Sequence, residues 1–281
     1  MCAQCMVRAS LASLLALCIL LALLPCVFLL HRASPRVDPI VCRRARGVQQ
    51  LHVVTVVTDR DKAEFKTLVR IAGKYGTRVN AAHPLGEFGH QSGGWGQRLR
   101  TMRLYLSTLP PEDIVMFVDG YDLLIGASPE CILGEFDDMI GDREVVLFSA
   151  ESNCYPIPEV ESEYPEPDPP SPYKYLNAGA CIGRVDIFAR LLDTHMHFED
   201  PDFNGVHDQG EFTKIFLATD DIELDTSNRI FNSMFDREHD LEHHVGRGWF
   251  NKATHTYPMV FHANGQTPQR MLFDTIAPTL E

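Results

Sequence analysis

A run of five apolar residues that ends in two carboxylates constrains the fold of this chain more than any other feature. The run IVMFV, at positions 114–118, is rich in β-branched and aromatic residues and predicts a buried β-strand. It leads directly into Asp119, Gly120, Tyr121 and Asp122. Ligands of open α/β sheets bind beyond the carboxyl ends of the strands. The two carboxylates therefore indicate either a site for a divalent cation that also binds phosphate, or an Asp-rich turn.

Strands and helices alternate along most of the chain. Apolar runs predict strands at 51–58, 77–82, 114–118, 144–150, 222–224, 229–231 and 258–262. Helical spacing and capping residues predict helices at 62–75, 97–109, 129–140, 185–195 and 208–218. With 281 residues, 45% of them apolar, the chain can bury a large core. The alternation predicts an α/β fold with a mixed, mostly parallel sheet flanked by helices.

Polar side chains lie at or near the ends of several predicted strands, where a ligand is expected. Besides the central pair of carboxylates, they are Glu151, Asn177, His262 and Asn264. Two carboxylates and one imidazole suit Mn²⁺, and the diphosphate oxygens of a nucleotide can fill its remaining positions. We therefore expect Asp119, Asp122 and His262 to share one cation.

Two segments interrupt the alternating pattern. The first, GEFGHQSGGWG at 86–96, precedes a helix whose start contains Arg98. Free N–H groups at such a helix start bind anions, although a mobile surface loop is the alternative interpretation. The second segment, 156–172, contains too many prolines for a helix or a central strand. We interpret it as an excursion near the site, with a lid as one possible role.

The N-terminal residues differ in kind from the rest. After a short tail at 1–10, positions 11–30 form a run of twenty residues without a charge. At about 1.5 Å per residue, such a run spans the hydrocarbon core of a bilayer, which is roughly 30 Å thick. We predict a transmembrane signal-anchor at 11–30, a stem at 31–48 and a folded domain at 49–276. A cleaved signal peptide is the alternative to the anchor.

Charge and cysteine usage narrow the range of partners. The net charge is −13, and the body has no cluster of Lys and Arg with interleaved aromatics, which argues against nucleic acid. The body contains only Cys131, Cys154 and Cys181, with no C-x-x-C pair that would indicate zinc. These three cysteines do not define a disulfide framework.

The order of several segments resembles the glycosyltransferase domain of procollagen lysyl hydroxylases and related collagen galactosyl- and glucosyltransferases. The matching segments, within 51–265, are LHVVTVVTD, GGWGQRLR, IVMFVDGYDLL, SPECILGEF, VVLFSAESNCYP, YLNAGACIG, DQGEFTKIFL, ELDTSNRIFNSM and YPMVFHANG. The resemblance implies a GT-A type, Rossmann-like fold, Mn²⁺, and UDP-galactose or UDP-glucose as donor. It further implies transfer of galactose to hydroxylysine, or of glucose to galactosyl-hydroxylysine, in collagen-like protein.

The same resemblance implies roles for individual residues. It assigns Asp119, Asp122 and His262 to the metal, Tyr121 to stacking on the uracil, and Thr55 or Thr58 to the nucleotide pocket. Arg98 stands at a family lysine position and would pair with the diphosphate. The other cofactor-binding positions are Asn177, Asn264 and Gly265.

Two carboxylates are the candidates for catalysis. Asp208 matches the end of an acidic run that lies near the donor sugar. Glu151 and Tyr155 fall in the segment that faces the acceptor. One of the two carboxylates would stabilise a cationic anomeric centre, and for inversion one would deprotonate the acceptor hydroxyl. The sequence does not choose between inversion and retention.

This chain departs from the family pattern at three places. Trp95 occupies a glycine position, His207 occupies an aspartate position, and the C-terminal motif is HANG rather than HGNG. The metal ligands are retained, while the choice of donor and acceptor is left open. No H-x-D…H iron triad is found elsewhere in the sequence, so lysine hydroxylation is not expected from this chain.

The orientation of the predicted anchor is a conflict between two indications. One arginine precedes the span and five follow it within the stem, which by the positive-inside rule would place the body in the cytosol. The resemblance implies instead a lumenal body in the endoplasmic reticulum or Golgi, and we expect this type II arrangement. Two alternatives remain for function: a transferase of the same fold with another glycan or protein acceptor, and an inactive membrane-anchored UDP-sugar-binding module.

Overall fold

The computed structural model describes residues 49–89, 94–265 and 269–281. The predicted anchor at 11–30 and stem at 31–48 lie outside these ranges. Within the described ranges, no helix is both long enough and apolar enough to cross a bilayer.

The strands are numbered β1 to β11 in chain order along the described residues. They are β1 Leu51–Val56, β2 Val79–Ala82, β3 Ile114–Val118, β4 Leu123–Ile125, β5 Val146–Glu151, β6 Tyr175–Arg184, β7 Ile222–Asp225, β8 Phe231–Ser233, β9 Leu241–His244, β10 Gly248–Asn251 and β11 Val260–His262. The short β4, the long β6 and the β9–β10 hairpin were not predicted as strands. The predicted strands at 229–231 and 258–262 begin two residues later in the structure.

The central sheet has the order β2-β1-β3-β6-β5-β7. Strand β1 runs parallel to both β2 and β3, and β5 runs parallel to β7. Strand β6 lies antiparallel between β3 and β5. The prediction of a mixed, mostly parallel α/β sheet is therefore confirmed. Because β6 is reversed, its first residues lie beside the carboxyl ends of both neighbouring strands, where a ligand is expected.

Helices cover the central sheet on its two faces. They are α1 Ala63–Lys74, α2 Gly96–Leu106, α3 Pro129–Ile140, α4 Val185–His195, α5 Asp208–Ala218 and the short α6 Ala277–Leu280, which follows a π-helical turn at Met271–Ile276. The bounds of α3, α4 and α5 agree with the predicted ranges. Helix α3 begins where expected because the Ser128 hydroxyl accepts a hydrogen bond from the Cys131 N–H and proline occupies the first helical position. Helix α2 ends three residues earlier than predicted, at Leu106.

A second sheet positions the C-terminal part of the site. Strand β11 pairs antiparallel with β4 and parallel with β8. Since β4 begins at the residue after Asp122, the segment 119–122 passes from the central sheet directly into the second sheet. The Ala263 N–H donates to the Asp122 carbonyl at 2.8 Å, which holds the end of β11 against this segment.

The proline-rich segment is anchored to the body of the protein. It contains a short 3₁₀ helix at Pro158–Glu163, followed by the buried Tyr164. The Tyr164 ring packs edge-on against Tyr175 and contacts Phe216, and its hydroxyl donates to Thr213 at 3.2 Å. Through these contacts the segment packs against β6 and α5.

Candidate functional site

Asp119, Asp122 and His262 converge at the junction of the two sheets. Each offers one ligand atom, and these atoms lie within 4.8 Å of one another. His262 Nε2 is 3.5 Å from Asp119 Oδ2 and 3.6 Å from Asp122 Oδ2. The three groups predicted to share a cation are therefore close enough to do so.

The imidazole of His262 is oriented for a ligand between the two carboxylates. Its ring is buried, and Nδ1 lies 3.1 Å from Asn177 Oδ1, which fixes the orientation of the ring. Nε2 is buried and makes no hydrogen bond among the described residues. Buried polar atoms are nearly always partnered, so an unpartnered nitrogen that faces two carboxylates fits a metal ligand. The donor set of two oxygens and one nitrogen suits Mn²⁺ or a similar divalent cation.

Gly179 makes the convergence possible. The Gly179 carbonyl accepts from the Asp119 N–H at 2.7 Å, so β6 lies directly against the metal-binding segment. A Cβ at position 179 would overlap the His262 ring and lie 2.8 Å from Asp119 Oδ2. The requirement here is for close approach of the backbone, at a point where the pairing of β6 with β5 shifts register between Asn177 and Cys181.

Glu151 is the centre of a buried hydrogen-bond network next to the metal-binding group. Its Oε1 accepts from the amides of Asn177 and Gln209, each at 2.9 Å, and its Oε2 accepts from the Asn264 amide at 2.9 Å. Burial raises the pKa of Glu151, and the three donated bonds offset that shift only in part. Through Asn177 the network reaches His262. Gln209 was not singled out from the sequence, where it is merely the residue after Asp208.

Arg98 joins a metal-binding carboxylate to a candidate catalytic carboxylate. Its guanidinium donates to Asp119 Oδ1 at 2.8 Å and forms a close ion pair with Asp208. The side chains of Arg98 and Asp208 are buried, while that of Asp119 is 33% exposed. Burial alone would lower the pKa of Arg98, but the two carboxylates outweigh it and keep the group charged. The structure thus places Arg98 among carboxylates, and its predicted pairing with a diphosphate stays a prediction.

These groups line one cavity of about 530 Å³. Its lining includes the predicted residues Arg98, Asp119, Asp122, Glu151, Asn177, Asp208, His262, Asn264 and Gly265. It also includes the aromatic side chains of Trp95, Tyr155, His207 and Phe235. Every predicted metal-binding and catalytic residue therefore faces the same space.

The three remaining predicted residues lie outside this lining. Thr55 is fully buried, and its hydroxyl makes no hydrogen bond among the described residues. The Tyr121 hydroxyl lies 3.2 Å from the Thr58 hydroxyl and accepts from the Asp59 N–H at 2.7 Å. The Lys62 amine lies 4.0 Å above the Tyr121 ring. Tyr121 and Thr58 thus form one cluster just after β1. Tyr121 itself belongs to the segment 119–122, between the two metal-binding carboxylates.

The charges of the metal-binding group depend on one another. Burial alone would lower the pKa of His262, but Asp122 and Asp119 outweigh burial and raise the pKa to about 10. Burial alone would raise the pKa of Asp119, but Arg98 and His262 outweigh it and hold that pKa below its usual range. The two carboxylates therefore favour the protonated form of His262 when no metal is bound.

The pKa of His262 predicts that metal binding is linked to proton release. A ligand nitrogen must be deprotonated, so Mn²⁺ binding at pH 7 should release about one proton, and affinity should rise about tenfold per pH unit up to about pH 10. Calorimetry in buffers of different ionisation enthalpy measures this release. A His262→Gln variant should bind more weakly and release no proton, and an affinity independent of pH in the unmodified protein would contradict the assignment.

The position of Gly179 predicts that one methyl group disrupts the metal site. Gly179→Ala should lower Mn²⁺ affinity by about tenfold or more, because the new Cβ displaces the His262 ring. Gly73→Ala is the matched control, since a Cβ at that helical glycine meets no atom within 4 Å. Titration calorimetry on both variants provides the comparison. Equal affinities would show that the ring position does not set metal binding.

Comparison with known proteins identifies relatives of this chain. A family model described as PLOD GT domain matches residues 47–277. The chain is 29% identical over 241 residues to procollagen-lysine,2-oxoglutarate 5-dioxygenase 1 of Mus musculus, covering 79% of this chain and 31% of that protein. It is 29% identical to the multifunctional procollagen lysine hydroxylase and glycosyltransferase LH3 of Homo sapiens, covering 62% of this chain and 24% of that protein. The chain thus spans about a third or less of the length of these relatives.

A solved structure supports the fold independently of close sequence similarity. The crystal structure of a glycosyltransferase involved in the glycosylation of the major capsid of PBCV-1 superposes with a TM-score of 0.50 at 8% identity. The match covers 80% of this chain and 98% of that one. The architecture is therefore that of a glycosyltransferase, and with the family match over most of its length this chain belongs to the PLOD glycosyltransferase-domain family.

Proposed function

We propose that this protein is a Mn²⁺-dependent hexosyltransferase that uses UDP-galactose or UDP-glucose. The observation that carries the proposal is the convergence of Asp119, Asp122 and His262 at the wall of a cavity that also exposes Asp208 and Glu151. A nucleotide-sugar transferase needs a cation near the diphosphate and carboxylates near the sugar, and this cavity offers both. When bound, the cation would supply positive charge that stabilises the departing diphosphate.

Asp208 and Glu151 divide the remaining chemistry in this proposal. Asp208 begins α5 and is held by the Arg98 guanidinium, an arrangement suited to an ionised group that stabilises positive charge at the anomeric carbon. Glu151 has a raised pKa and three amide donors that fix its carboxylate. Those properties suit a group that accepts a proton from the acceptor hydroxyl.

The nucleotide is proposed to lie along the start of the metal-binding segment. Tyr121 belongs to that segment, and its hydroxyl is held by Thr58 and Asp59. Stacking of the Tyr121 ring on the uracil would require the Lys62 side chain above it to move aside. Asn264 and Gly265 follow His262 in the chain and face the cavity.

The acceptor is proposed to be hydroxylysine or galactosyl-hydroxylysine of a collagen-like protein. The support is the family membership, since relatives are named as procollagen lysine hydroxylases and, in one case, as a glycosyltransferase. A donor-by-acceptor screen tests this step. It should combine UDP-galactose and UDP-glucose with hydroxylysine peptides, galactosyl-hydroxylysine peptides and unrelated glycans. Product formed only with unrelated acceptors would support the transferase activity and reject the collagen-like acceptor.

Removing one metal-binding carboxylate should abolish turnover. Asp122→Ala should lower Mn²⁺-dependent release of UDP from the preferred UDP-hexose by about 100-fold or more while the fold is retained. Glu64→Ala, a change in the first turn of α1 and outside the cavity lining, is the control and should leave turnover unchanged. Unchanged turnover in Asp122→Ala would overturn the metal assignment. Binding of the UDP-sugar by the unmodified protein without any release of UDP would identify a binding module.

We also propose a type II membrane orientation with the domain in the lumen of the endoplasmic reticulum or Golgi. The support is the uncharged run at 11–30 together with the activity, because donor and acceptor would meet in the secretory pathway. In intact microsomes the domain should resist added protease and become sensitive once detergent opens the membrane. Digestion without detergent would place the domain in the cytosol, as the arginine distribution alone suggests.

A further inference from the structure

Three aromatic rings from separate segments form one wall of the cavity, here called the aromatic wall: Trp95, Tyr155 and His207. The ring centroids of Trp95 and His207 are 6.5 Å apart, and those of His207 and Tyr155 are 5.3 Å apart in an edge-to-face arrangement. The Tyr155 hydroxyl also lies 3.3 Å from His207 Nε2. Tyr155 is 45% exposed, although it is a large ring at the rim of a cavity. Such an exposed ring is available to a ligand.

The backbone holds the aromatic wall in place. The Trp95 N–H donates to the Val206 carbonyl at 2.8 Å, next to His207. Gly96 packs so closely on the backbone of Phe203 and Asn204 that a Cβ would not fit. The segments before α2 and before α5 are therefore one packed unit.

Helix α5 also fixes the third ring of the wall. The Gln209 amide donates to the Tyr155 carbonyl at 2.7 Å and to Glu151 at 2.9 Å. The wall and the buried carboxylate network thus share a side chain. A ligand on the wall would also be within the space that the network faces.

The chemistry of the cavity matches the two kinds of surface on a hexopyranose ring. The aromatic wall offers ring faces and edges, while Asp208, Glu151 and Asn177 offer oxygen and amide groups on the rest of the lining. A pyranose has C–H groups on its faces that pack on aromatic rings and hydroxyls on its rim that need polar partners. No acidic side chain belongs to the wall itself, which suits a neutral ring.

We propose that the aromatic wall binds the hexopyranose ring of a substrate, with Tyr155 as the exposed contact and His207 as the residue that orients it. The inference deepens and rests on the proposed function, because it names the part of the substrate that these three rings take. The pyranose ring belongs either to the donor sugar or to a glycosylated acceptor, and the two arms of the experiment below distinguish these sources.

The chain contains two tryptophans, which makes the wall directly observable. Trp249 is buried in the hairpin, donates to Thr279 at 2.8 Å and does not line the cavity. In a Trp249→Phe protein the emission therefore reports on Trp95 alone. One arm titrates methyl β-galactopyranoside and a galactosyl-hydroxylysine peptide without nucleotide. The other arm compares UDP with UDP-galactose and UDP-glucose in the presence of Mn²⁺.

The expected result is a saturable change in Trp95 emission with a sugar-bearing ligand. Tyr155→Ala should weaken that binding by roughly three- to tenfold, the value of one aromatic contact. His207→Phe should retain more affinity than His207→Ala, because the phenyl ring still supports Tyr155. An effect in the glycoside arm assigns the wall to the acceptor. Tighter binding of a UDP-hexose than of UDP, lost in Tyr155→Ala, assigns the wall to the donor.

A second tyrosine–histidine pair provides the matched control. Tyr257 and His244 are also edge-to-face, with centroids 5.8 Å apart and the hydroxyl 2.9 Å from Nδ1, but neither residue lines the cavity. Tyr257→Ala should leave the emission change intact. The inference is overturned if Tyr155→Ala and Tyr257→Ala behave alike. It is equally overturned if glycosides cause no change and UDP binds as tightly as both UDP-hexoses.

Failure of this inference can be told apart from failure of the proposed function. If Tyr155→Ala leaves turnover of a UDP-hexose unaffected, the proposed transferase activity stands and the proposed role of the aromatic wall is rejected. The opposite outcome is a protein that neither binds nor cleaves a UDP-hexose but binds a glycoside, with that binding weakened by Tyr155→Ala. In that case the role of the aromatic wall stands and the proposed transferase activity is rejected.

Discussion

Charge balance around Arg98 is the constraint on which the rest of the site depends. Asp119, Asp122, Glu151 and Asp208 face one cavity, and carboxylates placed so closely would repel one another without compensation. The guanidinium meets Asp119 on one side and Asp208 on the other. Without a metal, Asp122 and Asp119 raise the pKa of His262 and so favour a second positive charge there. The hydrogen-bond donors to Glu151 are instead three neutral amides.

This division of charge separates two kinds of acidic group within one cavity. Arg98 lowers the pKa of Asp119, which suits a metal ligand, and its close ion pair with Asp208 suits a group that stabilises a cation. Burial is the dominant influence on Glu151 and raises its pKa, and the amide donors offset that shift only in part, which suits proton transfer. A planar guanidinium can reach two carboxylates at once in a fixed geometry, whereas an ammonium acts as a single point of charge. An arginine at position 98 is therefore better suited than a lysine to pair with Asp119 and Asp208 at once.

Local signals in the sequence were sufficient for the main helices, for most central strands and for the metal-binding group. The cap at Ser128 and the apolar run at 114–118 determine α3 and β3 through contacts between near neighbours in the chain. The metal-binding group was predictable because polar residues that follow strands meet at one edge of a sheet. What could not be predicted depends on distant pairing. The reversal of β6, the short β4 and the contacts of Arg98 involve partners tens of residues away, and no local pattern encodes them.

The backbone contacts of the segment 119–122 have a consequence for how such a protein can change over time. Asp119 and Asp122 are bonded through main-chain atoms to the strands that carry Gly179 and His262, at 2.7 Å and 2.8 Å. These bonds do not involve the carboxylates. Replacement of the Asp122 side chain, which does not pair with Arg98 among the described contacts, would therefore remove a metal ligand and leave these main-chain bonds in place. A gene duplicate could in this way lose its metal-binding group by a single substitution while the two sheets stay joined.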